Sequence, residues 1–128
     1  MVLNIILLVI LLALIGQSLY TFVRIKKAAT VIDNEEFKQK MRSGQVLDVR
    51  EKVEFDASHI MGARSFPIQT LKQSGDGFGT GTDILIYDNR RQQAGRAALI
   101  LKKKGYENIY LLKNGFSGWD GKVKAKKQ

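Results

Sequence analysis

The sequence predicts an α/β domain with a mostly parallel sheet between helices, preceded by one transmembrane helix. Three observations carry this expectation. Strand-like and helix-like segments alternate from residue 31 onward, the order that produces parallel strands joined by helical crossovers. Ile84, Leu85, Ile86 and Tyr87 form a continuous apolar run, as a central strand buried on both faces requires. Residues 2–23 carry no charged side chain and are mostly apolar.

The apolar segment reads VLNIILLVILLALIGQSLYTFV. As a helix it would rise about 33 Å, enough to cross a hydrocarbon core of about 30 Å. Asn4 lies near one end, Gln17, Ser18 and Thr21 near the other, and Ile5 to Ile15 is unbroken apolar sequence. Tyr20 falls where an interfacial aromatic is expected. A cleaved signal peptide would begin with positive charge and carry a shorter apolar stretch. Here the positive charges, Arg24, Lys26 and Lys27, follow the run. A buried core helix would need protein on all sides, more than so small a domain can supply. The expectation is an uncleaved anchor over 2–23 in contact with membrane lipid, then a short linker over 24–30. Basic residues accumulate on the cytoplasmic side. The expected topology is therefore a single-pass cell-membrane protein, N-terminus outside and domain in the cytoplasm.

The chain has 128 residues, enough for one compact domain. It contains no cysteine, which excludes disulfides, thiolate zinc sites and thiol nucleophiles. All 21 Lys and Arg and all 12 Asp and Glu lie after residue 23, so the net charge of +9 belongs entirely to the part of the chain that follows the apolar run. Such a balance suits an anionic partner, lipid headgroups or nucleic acid. The absence of zinc-finger spacings and of an aromatic-studded basic strand argues against nucleic acid. A solvated basic surface near anionic lipid is the preferred reading.

Along the domain, Asp33 is placed to cap a helix, with Glu36 three residues on as a capping-box partner, and Gly44 marks its end. QVLDVR is a short strand ending in charge, EKVEFDA one or two helical turns, and SHIMGARSFPI a turn with a short strand and the only proline, Pro67. A short helix then dissolves into a loop holding Gly75, Gly77, Gly79 and Gly81. No Lys-Ser or Lys-Thr pair follows that loop, so it reads as a flexible connection and not a phosphate loop. After the central strand, Ala94, Ala97, Ala98 and Leu101 recur at i, i+3, i+4 and i+7 and predict a helix over about 92–104. Gly105 stops it, with Lys102, Lys103 and Lys104 suited to its negative end. ENIYLL is a further strand, NGFSGW a closing turn with Trp119 as an apolar anchor, and 122–128 a basic, frayed tail.

Three of these segments, in this order, resemble the rhodanese-like domains. Leu47 to Ile68 carries Asp48-Val49-Arg50, Glu54-Phe55, His59-Ile60, Gly62-Ala63 and Pro67 in the pattern of that family's opening signature. Ile84 to Leu112 is similar to its strand, active-site loop, helix and Gly-Tyr return strand, and Asn114 to Trp119 to its Gly-x-x-x-Trp turn. The resemblance implies a rhodanese-like fold over 31–121 and, as the usual activity, sulfur transfer through a cysteine persulfide. The cysteine position of the family aligns with Asp88, and the loop position where many active members carry Arg is Gln93.

Sulfur transfer needs a polarizable thiolate that attacks sulfur and holds it as a persulfide, and a carboxylate makes no comparable bond. What remains is a strand-to-helix loop that presents backbone N–H groups and a helix dipole to an anion. Asp88 is expected to take that place as a built-in anion. The expected recognition loop is Asp88, Asn89, Arg90, Arg91, Gln92 and Gln93, with Arg90 and Arg91 available to a small anion or an acidic protein partner. Asp48, Arg50 and His59 form a possible pocket rim; structural pairing of Asp48 with Arg50 is preferred, and His59, the only histidine, reads as a hydrogen-bonded turn residue. No catalytic residue, metal site or cofactor is expected. The leading functional reading is a membrane-tethered, catalytically inactive binding or regulatory module. The alternative is a sulfurtransferase-family enzyme with non-standard chemistry centred on Asp88.

Overall fold

The computed structural model describes residues 1–74, 77–79 and 81–125. It opens with helix α1, Val2–Ala28, and among the described residues this is the one helix long and apolar enough to cross a membrane. None of its most apolar stretch is buried against protein. Residues 24–30, expected as a linker, are not a free connection. The helix continues through Arg24 to Ala28, Ile25 packs against the domain core, and Ala28 and Ala29 are buried. No glycine or proline stands between Gly16 and Asp33 to stop the helix earlier. It ends where the β-branched run Thr30–Ile32 enters the sheet as β1.

The remaining elements follow the expected order. Helix α2 spans Asn34–Lys40, and the Glu36 N–H donates to Asp33 Oδ1 at 2.9 Å, the expected cap. Strand β2, Gln45–Asp48, leads to α3, Lys52–Ala57. Two-residue strands β3, His59–Ile60, and β4, Arg64–Ser65, flank a turn at Gly62. Helix α4, Ile68–Ser74, precedes the glycine-rich loop, of which Gly75 lies outside the described residues. Then come β5, Ile84–Tyr87, α5, Gln92–Lys103, β6, Ile109–Leu112, and a single 3-10 turn, Phe116–Gly118. The tail is only partly what was expected. Val123–Lys124 forms β7 and pairs antiparallel with β3, so Lys122 and its neighbours are tied back to the domain; residues 126–128 lie outside the described residues.

The main sheet has the order β1-β6-β5-β2-β4, with every pairing parallel. All four residues of central β5 are buried, and the two-residue alternation of the strand divides the core. Ile84 and Ile86 pack with Leu47, Leu71, Ile109 and the Ala94, Ala97, Ala98, Leu101 stripe of α5. Leu85 and Tyr87 face the opposite side, with Phe37, Ile60 and Leu112. Trp119 closes this second layer, its ring edge-on to Phe37 at 5.6 Å. Helices therefore cover both faces of a parallel sheet, and the loops after β2 and β5 emerge side by side at its carboxyl edge, because Asp48 and Tyr87 are register partners.

Candidate functional site

The strand ends place two carboxyls next to one another, in different environments. Asp48 is fully buried and paired with Arg50, whose Nη2 lies 2.8 Å from Asp48 Oδ2 and whose Nε donates to both carboxylate oxygens at 3.1 Å. The Arg50 backbone N–H also donates to Asp48 Oδ1 at 2.9 Å. The rest of the guanidinium fork is used: Nη1 reaches Asn89 Oδ1 at 3.2 Å and Nη2 the Ser58 carbonyl, while the Phe116 ring lies 4.4 Å beneath. Burial opposes the charge on Arg50, and the Asp48 carboxylate more than offsets it. The preferred structural pairing thus holds, and it extends to the loop after β5 through Asn89.

Asp88 is 5% exposed. Its Oδ2 accepts the Gln93 backbone N–H at 2.7 Å, in the first turn of α5. The residue immediately before α5, Arg91, provides no side-chain cap, so Asp88 supplies it from further back in the loop. Its Oδ1 is buried without a hydrogen-bond partner. Burial pushes the Asp88 carboxyl above the usual carboxylate range, and neighbouring Asp48 adds to this, against the opposite pull of the Gln93 and Ala94 N–H groups. Burial, again with Asp48 nearby, also raises the Tyr87 phenol, whose oxygen accepts the Ile60 N–H at 3.0 Å.

The closing turn holds this loop, a role that its sequence does not announce. The Phe116 N–H donates to the Asp88 carbonyl at 2.8 Å, and Ser117 N and Oγ donate to the Asn89 carbonyl at 3.0 and 2.8 Å. Gly115 passes against the loop backbone at φ 64° and ψ −163°. The Asn89 side chain is in turn fixed by Glu54 Oε2 at 2.6 Å.

A cleft of about 1030 Å³ opens here, and Arg50, Asp88, Asn89 and Gln93 line it. The other expected residues are distributed around it. Asp48 lies beneath, and Gln92 is exposed on the first turn of α5. Arg90 and Arg91 instead border a separate depression of about 470 Å³ with Lys113 and Ser117. His59 lies in strand β3 and not in a turn as expected, and it is packed: its Nδ1 donates to the Phe55 carbonyl at 2.8 Å and its ring stacks on Phe55 at 3.7 Å. Sequence reasoning missed Arg24 and Arg96 as cleft residues. Their signals were present, Arg24 as the charge ending the apolar run and Arg96 three residues after Gln93 on one helix face. Among the described residues no cluster of His, Cys, Asp or Glu is arranged to hold a metal.

The cradle can therefore hold a carboxylate but has no atom to carry sulfane sulfur. A pair of substitutions tests the cap. Asp88→Asn keeps an oxygen for the Gln93 N–H, whereas Asp88→Ala removes it. The Asn variant is expected to be the more stable of the two by about 1 kcal/mol in urea unfolding. The raised carboxyl also sets a pH dependence. The native state binds this proton more tightly than the unfolded state, so the contribution of Asp88 is full at low pH and declines as pH rises through the interval between the ordinary and the raised value. Asp88→Asn is expected to abolish that decline and to raise the thermal midpoint at pH 7; an unchanged pH profile would contradict the assignment.

Comparison with known proteins identifies the family and the fold. The family model for the rhodanese-like domain matches residues 33–122. The uncharacterized protein YqhL of Bacillus subtilis is 40% identical over 124 residues, covering 97% of this chain and 98% of that protein. Human centrosomal protein of 41 kDa is 32% identical over 79 residues, 55% of this chain, and the chain spans only 21% of its length. The crystal structure of the Alr3790 protein from Anabaena superposes with a TM-score of 0.69 at 25% identity, covering 76% of this chain and 94% of that one. The match runs from the cap of α2 to just before β7, through both strand-end loops and the closing turn, and this chain belongs to the rhodanese-like domain family.

Proposed function

We propose that the chain is a membrane-tethered, catalytically inactive rhodanese-like domain that serves as a binding or regulatory module on the cytoplasmic face. The observation that carries this reading is the Asp88 carboxylate folded onto the Gln93 N–H, in a chain with no cysteine. The N–H group that would stabilise an anionic sulfur is engaged by the protein's own oxygen acid. The cleft beside it, with Asp88, Asn89 and Gln93 at its rim, is then a recognition surface for an anion or an acidic protein segment. Tethering is supported by the exposed apolar length of α1, and the cytoplasmic orientation by the basic residues that follow it.

Incubation of the purified chain with thiosulfate and cyanide is expected to yield no thiocyanate above a protein-free control. The unpartnered Asp88 Oδ1 and its raised carboxyl favour one second reading, an enzyme in which Asp88 acts as an acid. Thiocyanate formation that Asp88→Asn abolishes would select that reading and reject the first. Protease added to intact cells is expected to spare the domain; its digestion from outside would reverse the topology.

A further inference from the structure

The apolar helix does not swing free of the domain, and its attachment point is informative. Ile25 packs on Gly95 so closely that a Cβ at Gly95 would lie 2.9 Å from Ile25 Cδ1. Gly95 is buried near the start of α5, directly after the Asp88 loop. Arg24, the residue before Ile25, lines the same cleft as Arg50, Asp88 and Asn89. The uncharged length of α1 therefore leaves the domain beside the cleft, and Arg24 follows its last apolar residue, Val23.

One wall of this cleft is basic. Arg24 comes from α1, Lys72 from α4, and Arg96 and Lys103 from one face of α5. No ion pair engages these four among the described residues. The Arg24 guanidinium lies 5.6 Å over the Tyr20 ring, an aromatic at the end of the apolar stretch. Two of the cleft's carboxylates are engaged, Glu54 by Asn89 and Asp88 by the Gln93 N–H, and its further lysine, Lys52, is paired with Asp56. Glu51 is the remaining carboxylate on the cleft. The volume of about 1030 Å³ exceeds the need of a lone inorganic anion and suits an organic headgroup.

The geometry points to this cleft as a binding site for the phosphate-bearing headgroup of an anionic phospholipid, drawn from the bilayer in which α1 sits. The inference rests on the membrane tethering proposed above. Arginine forks bind phosphate oxygens in pairs, and lysines add point charge. A soluble phosphate ester offers the same chemistry. The lipid is favoured because Arg24 stands at the end of the span, where headgroups lie, and leads from there into the cleft.

The test uses the full chain in nanodiscs of phosphatidylcholine, with or without phosphatidylglycerol, and reads acetylation rates of individual lysines. A third arm adds glycerol phosphate to phosphatidylcholine discs. Phosphatidylglycerol is expected to slow acetylation of Lys72 and Lys103 severalfold while Lys113 and Lys124, away from the cleft, change little. Arg96→Glu, an exposed position whose change leaves the core intact, is expected to remove the protection of Lys72. Equal slowing at all four lysines would mean diffuse surface attraction and overturn the site. Equal protection by glycerol phosphate in phosphatidylcholine discs would overturn the lipid assignment. A chain that enters discs but shows no protection overturns this inference alone, whereas a chain that never co-migrates with discs overturns the tethering as well.

Discussion

Arg50→Ala is expected to lower the unfolding free energy by about 3–5 kcal/mol. The reason is what it leaves behind. Asp48 has no exposed surface, and three of its contacts come from the Arg50 side chain at 2.8 to 3.1 Å. Removing the guanidinium strands a carboxylate in the core, and the protein must then bury an unpaired charge or protonate it. The loss also releases the Asn89 Oδ1 and Ser58 carbonyl contacts and uncovers the Phe116 ring. Lysine cannot rescue the site, because an ammonium has no planar fork to span both carboxylate oxygens and Asn89 together. Arg50→Lys is therefore expected to recover less than half of the lost stability. Urea unfolding of the full chain in detergent, followed by Trp119 fluorescence, measures both variants. If Arg50→Ala cost under about 1 kcal/mol, the pair would be a surface-type ion pair and not a structural one.

Gly115→Ala is expected to cost about 3 kcal/mol or more, and to act on the recognition loop specifically. Two penalties combine. The backbone at φ 64° and ψ −163° is a region that essentially only glycine occupies. A Cβ there would also collide with the Arg90 carbonyl and lie 2.6 Å from the Asn89 carbonyl oxygen. The colliding atoms are backbone, so the loop can yield only by moving away from the turn. That motion breaks the bonds from Phe116 and Ser117 to the Asp88 and Asn89 carbonyls. Amide hydrogen exchange is the discriminating measurement. Exchange is expected to rise in 88–93 and 114–118 more than in β5, and a uniform rise would indicate general destabilisation instead.

The two variants separate what could be read in the chain from what could not. The strand at Ile84–Tyr87 and the helix over Ala94–Leu101 were legible because burial on two faces and a 3.6-residue repeat are written locally. The Asp33 cap was legible for the same reason, since its partner lies three residues away. Asp88 was legible through its alignment with a family position, and its contact to Gln93 spans only five residues. The expected linker over 24–30 and the part of the tail at Val123–Lys124 differ from their sequence reading because their structure is imposed by distant partners. Thr30–Ile32 becomes a strand only against Tyr110–Leu112, and Val123–Lys124 only against His59–Ile60. Short segments of this kind lack the length for a periodic signal, so tertiary pairing decides them.

By itself, then, the sequence determined the fold class, the apolar span and the impossibility of thiol chemistry, because composition and short-range periodicity carry each of these. Only the tertiary structure decided which charges are spent and which are free. Arg50 is consumed by Asp48, whereas Arg24, Lys72 and Arg96, far apart in the chain, meet on one cleft beside the emerging helix. Such convergence depends on how the crossovers bring strand ends and helix termini together, which no local pattern encodes.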